Sequence, residues 1–399
     1  MAPAEPLLDH RGRPRCVITG LGGLTGDGIG VDAVWASFVR EVDAPVRGTV
    51  SGFNARDWLT RKEAARSAPF LHFGVAAADE AMAMAGSPEF EPRRAGVVMS
   101  TIYGALETIE LERMRFETGG PESVDSYYGA MACENATAAA LAQRFQLRGP
   151  CKAVLGACAG GGFAVADAVE LIRSGRCDAV LAGASQSMMT PTMQASYTNL
   201  RVLAEDGWCR PFDARRRGFV FGEGAAVLVV ERLETALARG AEPIAEVIGW
   251  GNTNDAANLV RPSGEGAIEC IEDALADAGL EADAITSINA HGTGTVMNDL
   301  VEAQAIEHVF GARPIPVSSI KRVSGHLAGA SGALEAVAVA LAMREALLPP
   351  TAIDFEPDPE IRLDVVTGKP LEWQPGPTIS NSFGLAGHNC TLVLAPWRW

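Results

Sequence analysis

The sequence has few of the features that mark secreted, membrane or metal-dependent proteins. Its eight cysteines have no tight, repeated spacing, so we expect scattered reduced thiols rather than a disulfide framework. The N-terminal stretch has no apolar core of the kind that a signal peptide needs, and no charge-free apolar run reaches the ~18 residues that span a bilayer. The most apolar stretch, residues 327–343, contains Glu335 and is rich in Ala and Gly, which favours a buried helix. These absences predict a cytoplasmic protein.

Basic charge is also scarce. The chain has 33 Lys and Arg against 49 Asp and Glu, a formal net charge of −16. Broad binding to nucleic acid or anionic lipid is therefore not expected, although a local basic patch remains compatible with an acidic partner. With 399 residues, 48% hydrophobic and 21% charged, the chain is long enough for two domains or one large fused domain with a substantial core.

Short apolar runs alternate with helical stretches along the whole chain, a pattern typical of α/β proteins with buried sheets. Strands are predicted at 16–20, 95–100, 153–155, 179–181, 285–290 and 315–318. Helices are predicted at 62–85, 133–147, 159–174, 265–279, 299–309 and 329–344. A seam is predicted near 235–245, with similar strand and helix patterns on both sides, so a duplicated fold is one interpretation.

Cys158 is the strongest candidate nucleophile. It lies in the segment Gly-Ala-Cys-Ala-Gly-Gly-Gly at 156–162, between a predicted strand and a predicted helix. A strand–turn–helix junction exposes its turn residue at the sheet edge, and free N–H groups at a helix N-terminus lower a thiol pKa. The pattern therefore predicts a reactive thiolate. A buried structural cysteine is the alternative, and it is the interpretation that we apply to Cys16, Cys151 and Cys177.

Two of the six histidines follow predicted strands in Gly-rich segments. His291 begins the segment His-Gly-Thr-Gly-Thr, and His326 precedes a predicted helix of small residues. Active sites of open α/β sheets collect in such loops. A metal site is the competing interpretation, but the sequence has no HExxH motif and no CxxC pair, so no metal is expected.

Together with these three residues, a series of ordered motifs resembles the β-ketoacyl-acyl-carrier-protein synthases of the thiolase superfamily. The resemblance covers almost the whole chain, through Val-Ile-Thr-Gly-Leu-Gly at 17–22, Leu-Arg-Gly-Pro at 147–150, Arg-Pro-Phe-Asp at 210–213, Gly-Phe-Val-Phe-Gly-Glu-Gly at 218–224, His-Gly-Thr-Gly-Thr at 291–295 and Asn-Ser-Phe-Gly at 381–384. Degradative thiolases have a second catalytic cysteine in a turn near the C-terminus. Cys390 is placed within the final strand, so the class with two histidines is preferred.

The resemblance implies a thiolase-like α/β fold of two similar βαβαβαββ halves with buried mixed sheets. Residues 1–240 form the half with the nucleophile, and residues 241–399 form the half with both histidines. It also implies a homodimer whose interface lies near the nucleophile strand, no bound cofactor, and substrates carried on the phosphopantetheine of acyl carrier protein. Cys158 takes an acyl chain, malonyl carrier protein loses CO2, and the resulting carbanion attacks the acyl thioester.

The resemblance also assigns roles to individual residues. His291 and His326 stabilise the thioester enolate, a role for which two neutral imidazoles are suited. The backbone N–H groups of Cys158 and of the loop around Phe383, Gly384 and Leu385 receive the oxyanion of acyl transfer.

Further residues are assigned supporting roles. Thr293 and Thr295 bind pantetheine or simply cap the turn. Lys321 sets the local electrostatics, or forms a structural ion pair with Glu335 or Glu302. Asp299, Glu302 and Glu335 are the supporting carboxylates.

The sequence departs from the family pattern near the expected acyl pocket. Leu385 stands where a second Phe usually acts as the gate, so altered gating and chain selectivity are expected. Tyr103 and the pair Tyr127 and Tyr128 stand where smaller residues or Phe are common. Their bulk and hydroxyls favour a short, polar or polyene-like acyl chain.

Four functions remain open from the sequence. The first two are a fatty-acid elongation synthase and the ketosynthase subunit of a dissociated polyketide system that works with a chain-length-factor partner. The third, a non-catalytic chain-length-factor-like partner, is disfavoured because Cys158 and both histidines are present. The fourth is an acyltransferase that uses coenzyme A. The residues predicted to dock an acidic carrier protein are Arg61, Lys62, Arg66, Arg215, Arg216 and Arg217.

Overall fold

The computed structural model describes residues 6–397. The strands of this range are β1 (Cys16–Thr25), β2 (Gly28–Ile29), β3 (Ala95–Ser100), β4 (Cys151–Val154), β5 (Ala179–Gln186), β6 (Gly224–Arg232), β7 (Ala245–Asn254), β8 (Ser287–Asn289), β9 (Pro316–Ser318), β10 (Leu347–Leu348), β11 (Asp364–Val365), β12 (Leu371–Glu372), β13 (Thr378–Gly384) and β14 (His388–Pro396). The α-helices are α1 (Val31–Phe38), α2 (Arg61–Ala64), α3 (Pro69–Met84), α4 (Leu106–Gly119), α5 (Tyr128–Met131), α6 (Ala136–Arg144), α7 (Gly160–Arg173), α8 (Pro191–Asn199), α9 (Leu233–Ala238), α10 (Glu265–Ala278), α11 (Val296–Phe310), α12 (Lys321–Ser324) and α13 (Ser331–Glu345).

One mixed sheet of 12 strands runs through the molecule, and its two halves are built alike. Outward from the central β1–β7 pair, one half has the order β1-β6-β5-β3-β4 and the other has β7-β14-β13-β8-β9, with β11 beyond it. The first two pairings are antiparallel and the next two are parallel in both halves. The prediction of a duplicated fold is therefore confirmed.

Each half follows the chain order βαβαβαββ. The first runs β1-α3-β3-α6-β4-α7-β5-β6, and the second runs β7-α10-β8-α11-β9-α13-β13-β14. Several additional helices, such as α4 and α8, extend the connections of the first half. The predicted pair of βαβαβαββ halves is confirmed, while the division of the chain at residue 240 stays a prediction.

The helices that follow the third strand of each half, α7 and α13, cross at the centre of the core. Both are rich in Ala and Gly, and α13 is buried from Ser331 to Met343. A Cβ atom added at Gly161 of α7 would lie 2.4 Å from the backbone nitrogen of Ala333 in α13. Glycine at this position therefore sets how closely the two helices approach, and with them the loops at their N-termini.

Several predicted elements have different bounds in the structure. The predicted helix 62–85 is wrong, because it is divided into α2 and α3. Ala68, which precedes Pro69, is extended, since a residue before proline is pushed out of the helical region. Cys16 and Cys177 are buried as expected, but Cys151 is exposed on β4, the edge strand of the first half. No helix within residues 6–397 is long and apolar enough to cross a membrane.

Candidate active site

Cys158 occupies a tight turn between β4 and α7. The preceding residue, Ala157, has φ of 47°, a left-handed conformation that is uncommon for a residue with a Cβ atom. A Cβ atom added at Gly384 would lie only 3.0 Å from the Cys158 nitrogen, so the loop after β13 packs directly against this turn. The turn holds Cys158 at the N-terminus of α7, as the sequence predicted.

The electrostatics of the thiol differ from the prediction. Burial raises the pKa of Cys158 to about 11, although the charge of Lys321 and the backbone N–H groups of Leu385 and Cys158 itself oppose the rise. The predicted lowering of the thiol pKa is therefore wrong for this structure, because desolvation outweighs the nearby positive charge. The same N–H groups of Leu385 and Cys158 face the sulfur and are the pair predicted to receive an oxyanion.

Lys321 fixes the proton of His291. Its ammonium group donates to the His291 carbonyl over 2.5 Å, forms an ion pair with Glu335, and lies 3.3 Å from His291 Nδ1. An ammonium group has three donors and no acceptor, so Nδ1 accepts and the imidazole proton is on Nε2. Burial and the charge of Lys321 hold the pKa of His291 well below its usual range, so the ring is neutral.

Ser331 does the same for His326. Its hydroxyl oxygen accepts the Leu327 N–H over 3.0 Å and lies 2.9 Å from His326 Nδ1. When the hydroxyl donates its hydrogen to Nδ1, the proton of a neutral ring lies on Nε2. Burial, followed by the charge of Lys321, holds the pKa of His326 well below its usual range. The two rings are 5.4 Å apart and nearly perpendicular, at 80°.

Two buried carboxylates on α11 shape the turn that carries His291. Glu302 accepts the N–H groups of His291 and Gly292 over 2.7 and 2.8 Å, and Asp299 accepts the N–H groups of Phe212 and Gly294. Burial raises the pKa of Glu302 to about 7 and also raises that of Asp299. Both carboxylates therefore hold the backbone of the loop.

The remaining predicted supporting residues lie beside this turn. Thr295 accepts the Asn298 N–H and caps α11, while the hydroxyls of Thr293 and Thr295 are 3.0 Å apart. Glu335, which also accepts from Ser382, is the partner of Lys321, and Glu302 is not. The structural alternatives that the sequence left open, turn capping for Thr295 and an ion pair for Lys321, are thus both present.

These groups meet at one cavity of about 340 Å³. Cys158 lines it together with both histidines, both threonines, Phe383, Gly384 and Leu385. Phe383 lies beside His291, with ring centres 6.2 Å apart. Within residues 6–397, no group of three or more His, Cys, Asp or Glu side chains is arranged to hold a metal ion. The cavity thus joins a buried thiol, two neutral imidazoles and a pair of N–H donors.

The mouth of the cavity is basic. Arg201, Arg217 and Arg261 line it and are exposed, and within the described range none of them forms an ion pair. Of the six predicted docking residues, only Arg217 lines this mouth. Arg216 is buried against Asp358, so its prediction as a docking residue is wrong, and Arg215 pairs with Asp213 and with acidic residues of the segment after β10.

Comparison with known proteins identifies the family to which this site belongs. The sequence pattern described as Beta-ketoacyl synthase, N-terminal domain matches residues 46–236, and that described as Beta-ketoacyl synthase, C-terminal domain matches residues 244–353. A curated relative, 3-oxoacyl-[acyl-carrier-protein] synthase 2 of Synechocystis sp., is 36% identical over 97% of this chain and 99% of its own. The chain belongs to the beta-ketoacyl synthase family. The predicted family and the predicted class of enzyme, a condensing acyltransferase, are therefore confirmed.

Two solved structures extend the likeness of this beta-ketoacyl synthase. The ishigamide ketosynthase/chain length factor superposes with a TM-score of 0.92 at 32% identity, covering 96% of this chain and 100% of that one. A type II PKS ketosynthase in complex with its acyl-carrier protein superposes with a TM-score of 0.88 at 28% identity, covering 96% and 99%. The predicted thiolase-like fold is confirmed at full length.

Reasoning from the sequence missed several features of this beta-ketoacyl synthase site. Ser331, which contacts His326, lies in the predicted helix 329–344 but received no role, and the exposed Arg201 and Arg261 belong to none of the motifs used. Tyr127 was expected near the acyl pocket, but it is exposed on the surface, with the Arg66 guanidinium stacked 4.0 Å above its ring. Tyr128 does not line the cavity either.

Proposed function

We propose that this chain catalyses the decarboxylative Claisen condensation of malonyl-acyl carrier protein with an acyl chain bound to Cys158. The observation that carries the proposal is a pair of neutral imidazoles in one cavity with a buried thiol, each with its Nδ1 beside a neighbouring polar side chain. In the proposed mechanism, Nε2 of each ring carries the proton. Two such N–H donors can hydrogen-bond to an enolate oxygen. They stabilise its negative charge most strongly where water is excluded. The names of the relatives, which specify acyl carrier protein, support the choice of carrier.

In the first step, Cys158 takes over the acyl group. The sulfur bonds to the thioester carbonyl carbon, and the carbonyl oxygen gains charge that the N–H groups of Cys158 and Leu385 stabilise. Collapse breaks the bond from carbon to the pantetheine sulfur, and the proton of Cys158 ends on the departing thiol. Because the pKa of the buried thiol is high, the thiolate is disfavoured. Acyl loading therefore depends on the two N–H donors and on the positive charge of Lys321, which oppose this effect of burial.

In the second step, malonyl carrier protein loses CO2 and becomes a thioester enolate. Nε2 of His291 and Nε2 of His326 donate to its oxygen. The enolate carbon attacks the acyl carbonyl, the bond to the Cys158 sulfur breaks, and the released thiolate takes one proton. The product is a 3-oxoacyl carrier protein with two more carbons.

Lys321 is a positioning residue in this scheme, because it acts through His291. Its charge, balanced by Glu335, keeps Nδ1 in the accepting role and disfavours protonation of the ring. Glu302 and Asp299 hold the loop of His291, and Thr293 and Thr295 lie where the pantetheine arm passes from the mouth toward Cys158. No bound cofactor or metal enters either step.

The carrier protein is proposed to dock at the mouth formed by Arg201, Arg217 and Arg261. Acidic carrier proteins are drawn to such a cluster of unpaired arginines even though the chain as a whole is acidic. Arg61, Lys62 and Arg66 are exposed and stay candidates for the same role. For the dimer, we propose an interface at β4, the exposed edge strand beside Cys158, and for the location the cytoplasm.

A second candidate is the ketosynthase subunit of a dissociated polyketide system with a chain-length-factor partner. The solved structures with TM-scores of 0.92 and 0.88 come from such systems, which favours this version of the same chemistry. The complete set of Cys158, His291 and His326 argues against a non-catalytic partner. Purification of the chain alone and together with a co-expressed chain-length factor distinguishes the two assemblies.

The proposal is tested with a panel of acyl carrier proteins and malonyl carrier protein, read by intact mass. We expect an acyl adduct on the peptide of Cys158, followed on addition of malonyl carrier protein by a 3-oxoacyl carrier protein. A parallel panel of coenzyme A thioesters tests the coenzyme A alternative. Adducts confined to another cysteine, such as the exposed Cys133, contradict the proposal.

A further inference from the structure

Tyr197 is a buried tyrosine that the proposed mechanism does not use. It lies on α8, where every other residue is at least partly exposed, and its side chain lines the same cavity as Cys158. Helix α8 therefore directs one large side chain into the cavity. That side chain is amphipathic, because a phenol combines an apolar ring with one polar hydroxyl.

The ring of Tyr197 belongs to an aromatic wall. Its edge packs on Phe221 with ring centres 5.0 Å apart and on Phe219 at 6.1 Å, and Phe219 in turn packs on His326 at 4.9 Å. Leu385 packs against the same cluster. Because the arginines occupy the mouth, this apolar wall is the end of the cavity that suits an acyl chain rather than a carrier protein.

Tyr103 is the polar neighbour of Tyr197 in this cluster. Burial together with the nearby Cys158 and Tyr103 raises the pKa of Tyr197, so the phenol stays a donor. Within residues 6–397 the Tyr197 hydroxyl forms no hydrogen bond of normal geometry, so its hydrogen is available to a ligand in the cavity.

From these contacts we infer that the Tyr197 hydroxyl, with Tyr103 beside it, is a polar specificity site, which selects acyl chains that carry an oxygen atom over saturated chains of the same length. An oxygen on the chain accepts the Tyr197 hydroxyl hydrogen. A saturated chain leaves this hydroxyl facing methylene groups, and a buried polar group without a partner is unfavourable. The inference rests on the proposed function, since it needs an acyl chain on Cys158.

Acyl loading of Cys158 tests the inference. Acyl carrier proteins with one hydroxyl or oxo group at successive carbons are each paired with the saturated chain of equal length, and loading rates are read by intact mass. We expect at least one oxygenated chain to load about three- to tenfold faster than its saturated partner, the preference of one neutral hydrogen bond. Tyr197→Phe, which removes only the hydroxyl, is expected to abolish that preference by bringing the loading rates of the two chains together.

The matched control is Tyr127→Phe, because Tyr127 is exposed and lies outside the cavity. It is expected to retain the preference. Equal loading of every pair by the unaltered protein overturns the inference and leaves the proposed function standing, as does a preference that survives Tyr197→Phe. Failure of all chains to load on Cys158 overturns the proposed function and this inference with it.

Discussion

The two halves of the sheet have the same strand order, yet loops at equivalent positions carry different chemistry. After the third strand, the first half has the tight turn with Cys158, while the second has Lys321 and His326. After the second strand, the first half has Tyr103 where the second has His291. Duplication thus brings equivalent loops of the two halves together, three of which line the cavity, and divergence places the thiol in one half and the two imidazoles in the other.

The connection between the last two strands differs most. In the second half it is the short loop of residues 385–387, which packs against Cys158, whereas in the first half residues 187–223 include α8 and three functional candidates, Tyr197, Arg201 and Arg217. The long connection of the first half contributes residues both to the aromatic wall and to the mouth of the cavity, whereas the short loop of the second half contributes only the residues next to Cys158. In the proposed mechanism, the first half therefore receives the acyl chain, and the second half supplies the groups for decarboxylation.

Removal of either histidine gives the largest expected effect and separates the halves kinetically. His291→Ala and His326→Ala each lose one oxyanion donor, and we expect condensation to slow by about 10²–10³-fold. Loading of Cys158 is expected to suffer less, because its oxyanion donors are backbone groups. Steady-state condensation and intact-mass loading measure the two effects. His308→Ala, at an exposed position on α11, is the control, and near-normal condensation by both variants contradicts the assignment.

The crossing of α7 and α13 is the contact that joins the two repeats at the site. Gly161→Ala places a methyl group against the backbone of Ala333, and we expect a loss of about 1–3 kcal/mol in the free energy of unfolding. Chemical denaturation measures it. Gly129→Ala is the control, since a Cβ atom there has no atom within 4 Å. Equal stability of the two variants would show that the helices can separate at no cost.

Charge at the mouth tests the proposed docking surface, to which the first half contributes Arg201 and Arg217 and the second half contributes Arg261. The double variant Arg217→Glu, Arg261→Glu is expected to raise the Michaelis constant for carrier-bound substrate about five- to tenfold and to weaken its dependence on salt. Lys369→Glu, an exposed charge away from the cavity lining, is the matched control. A salt series with unchanged kinetics for the double variant removes these arginines from the docking surface.

The smallest expected effect is that of the gate. Leu385→Phe adds a rigid ring against the cluster of Tyr197 and Phe219, so the range of accepted acyl chains is expected to narrow. We expect the loading rate of the longer chains to fall by about threefold. A rigid pocket distinguishes two substrates that differ by one methylene group by roughly tenfold or more, but a loop flanked by glycines can move aside, so the effect here is smaller. Loading rates for short, long and unsaturated chains are compared in the two proteins. Identical chain-length profiles for the two proteins would show that Tyr103 and Tyr197, rather than the loop of Leu385, determine which acyl chains are accepted.

The sequence was sufficient for the α/β order, the duplication and the catalytic candidates that line the cavity. Strand–turn–helix junctions are local, so Cys158, His291 and His326 were placed at loop positions before any tertiary contact was known. The interruption between α2 and α3 was also readable from Pro69, although the predicted helix 62–85 overlooked it. The partner of Lys321 was narrowed to two carboxylates but not to one, because both lie on helices near the histidine loops.

The features that could not be predicted from the sequence depend on burial and on contacts between residues far apart in the chain. A helix N-terminus predicts a lowered thiol pKa, but the extent to which the rest of the chain encloses Cys158 decides the direction, and here enclosure outweighs the dipole. The packing of Tyr103 near Tyr197, 94 positions away, and the presence of Arg201 and Arg261 in one cavity likewise depend on the folded chain. Arg216 has the same sequence context as Arg217 but lies buried against Asp358.

Malonyl decarboxylation by Cys158→Gln tests the division between the halves most directly. The glutamine removes the nucleophile from the first half and leaves both imidazoles of the second half in place. Release of CO2 from malonyl carrier protein is measured for Cys158→Gln and for the double variant Cys158→Gln, His291→Ala. The account predicts that the single variant still releases CO2 while condensation is abolished, and that the double variant loses this release by about 10²–10³-fold. Equal CO2 release by the two variants would contradict it.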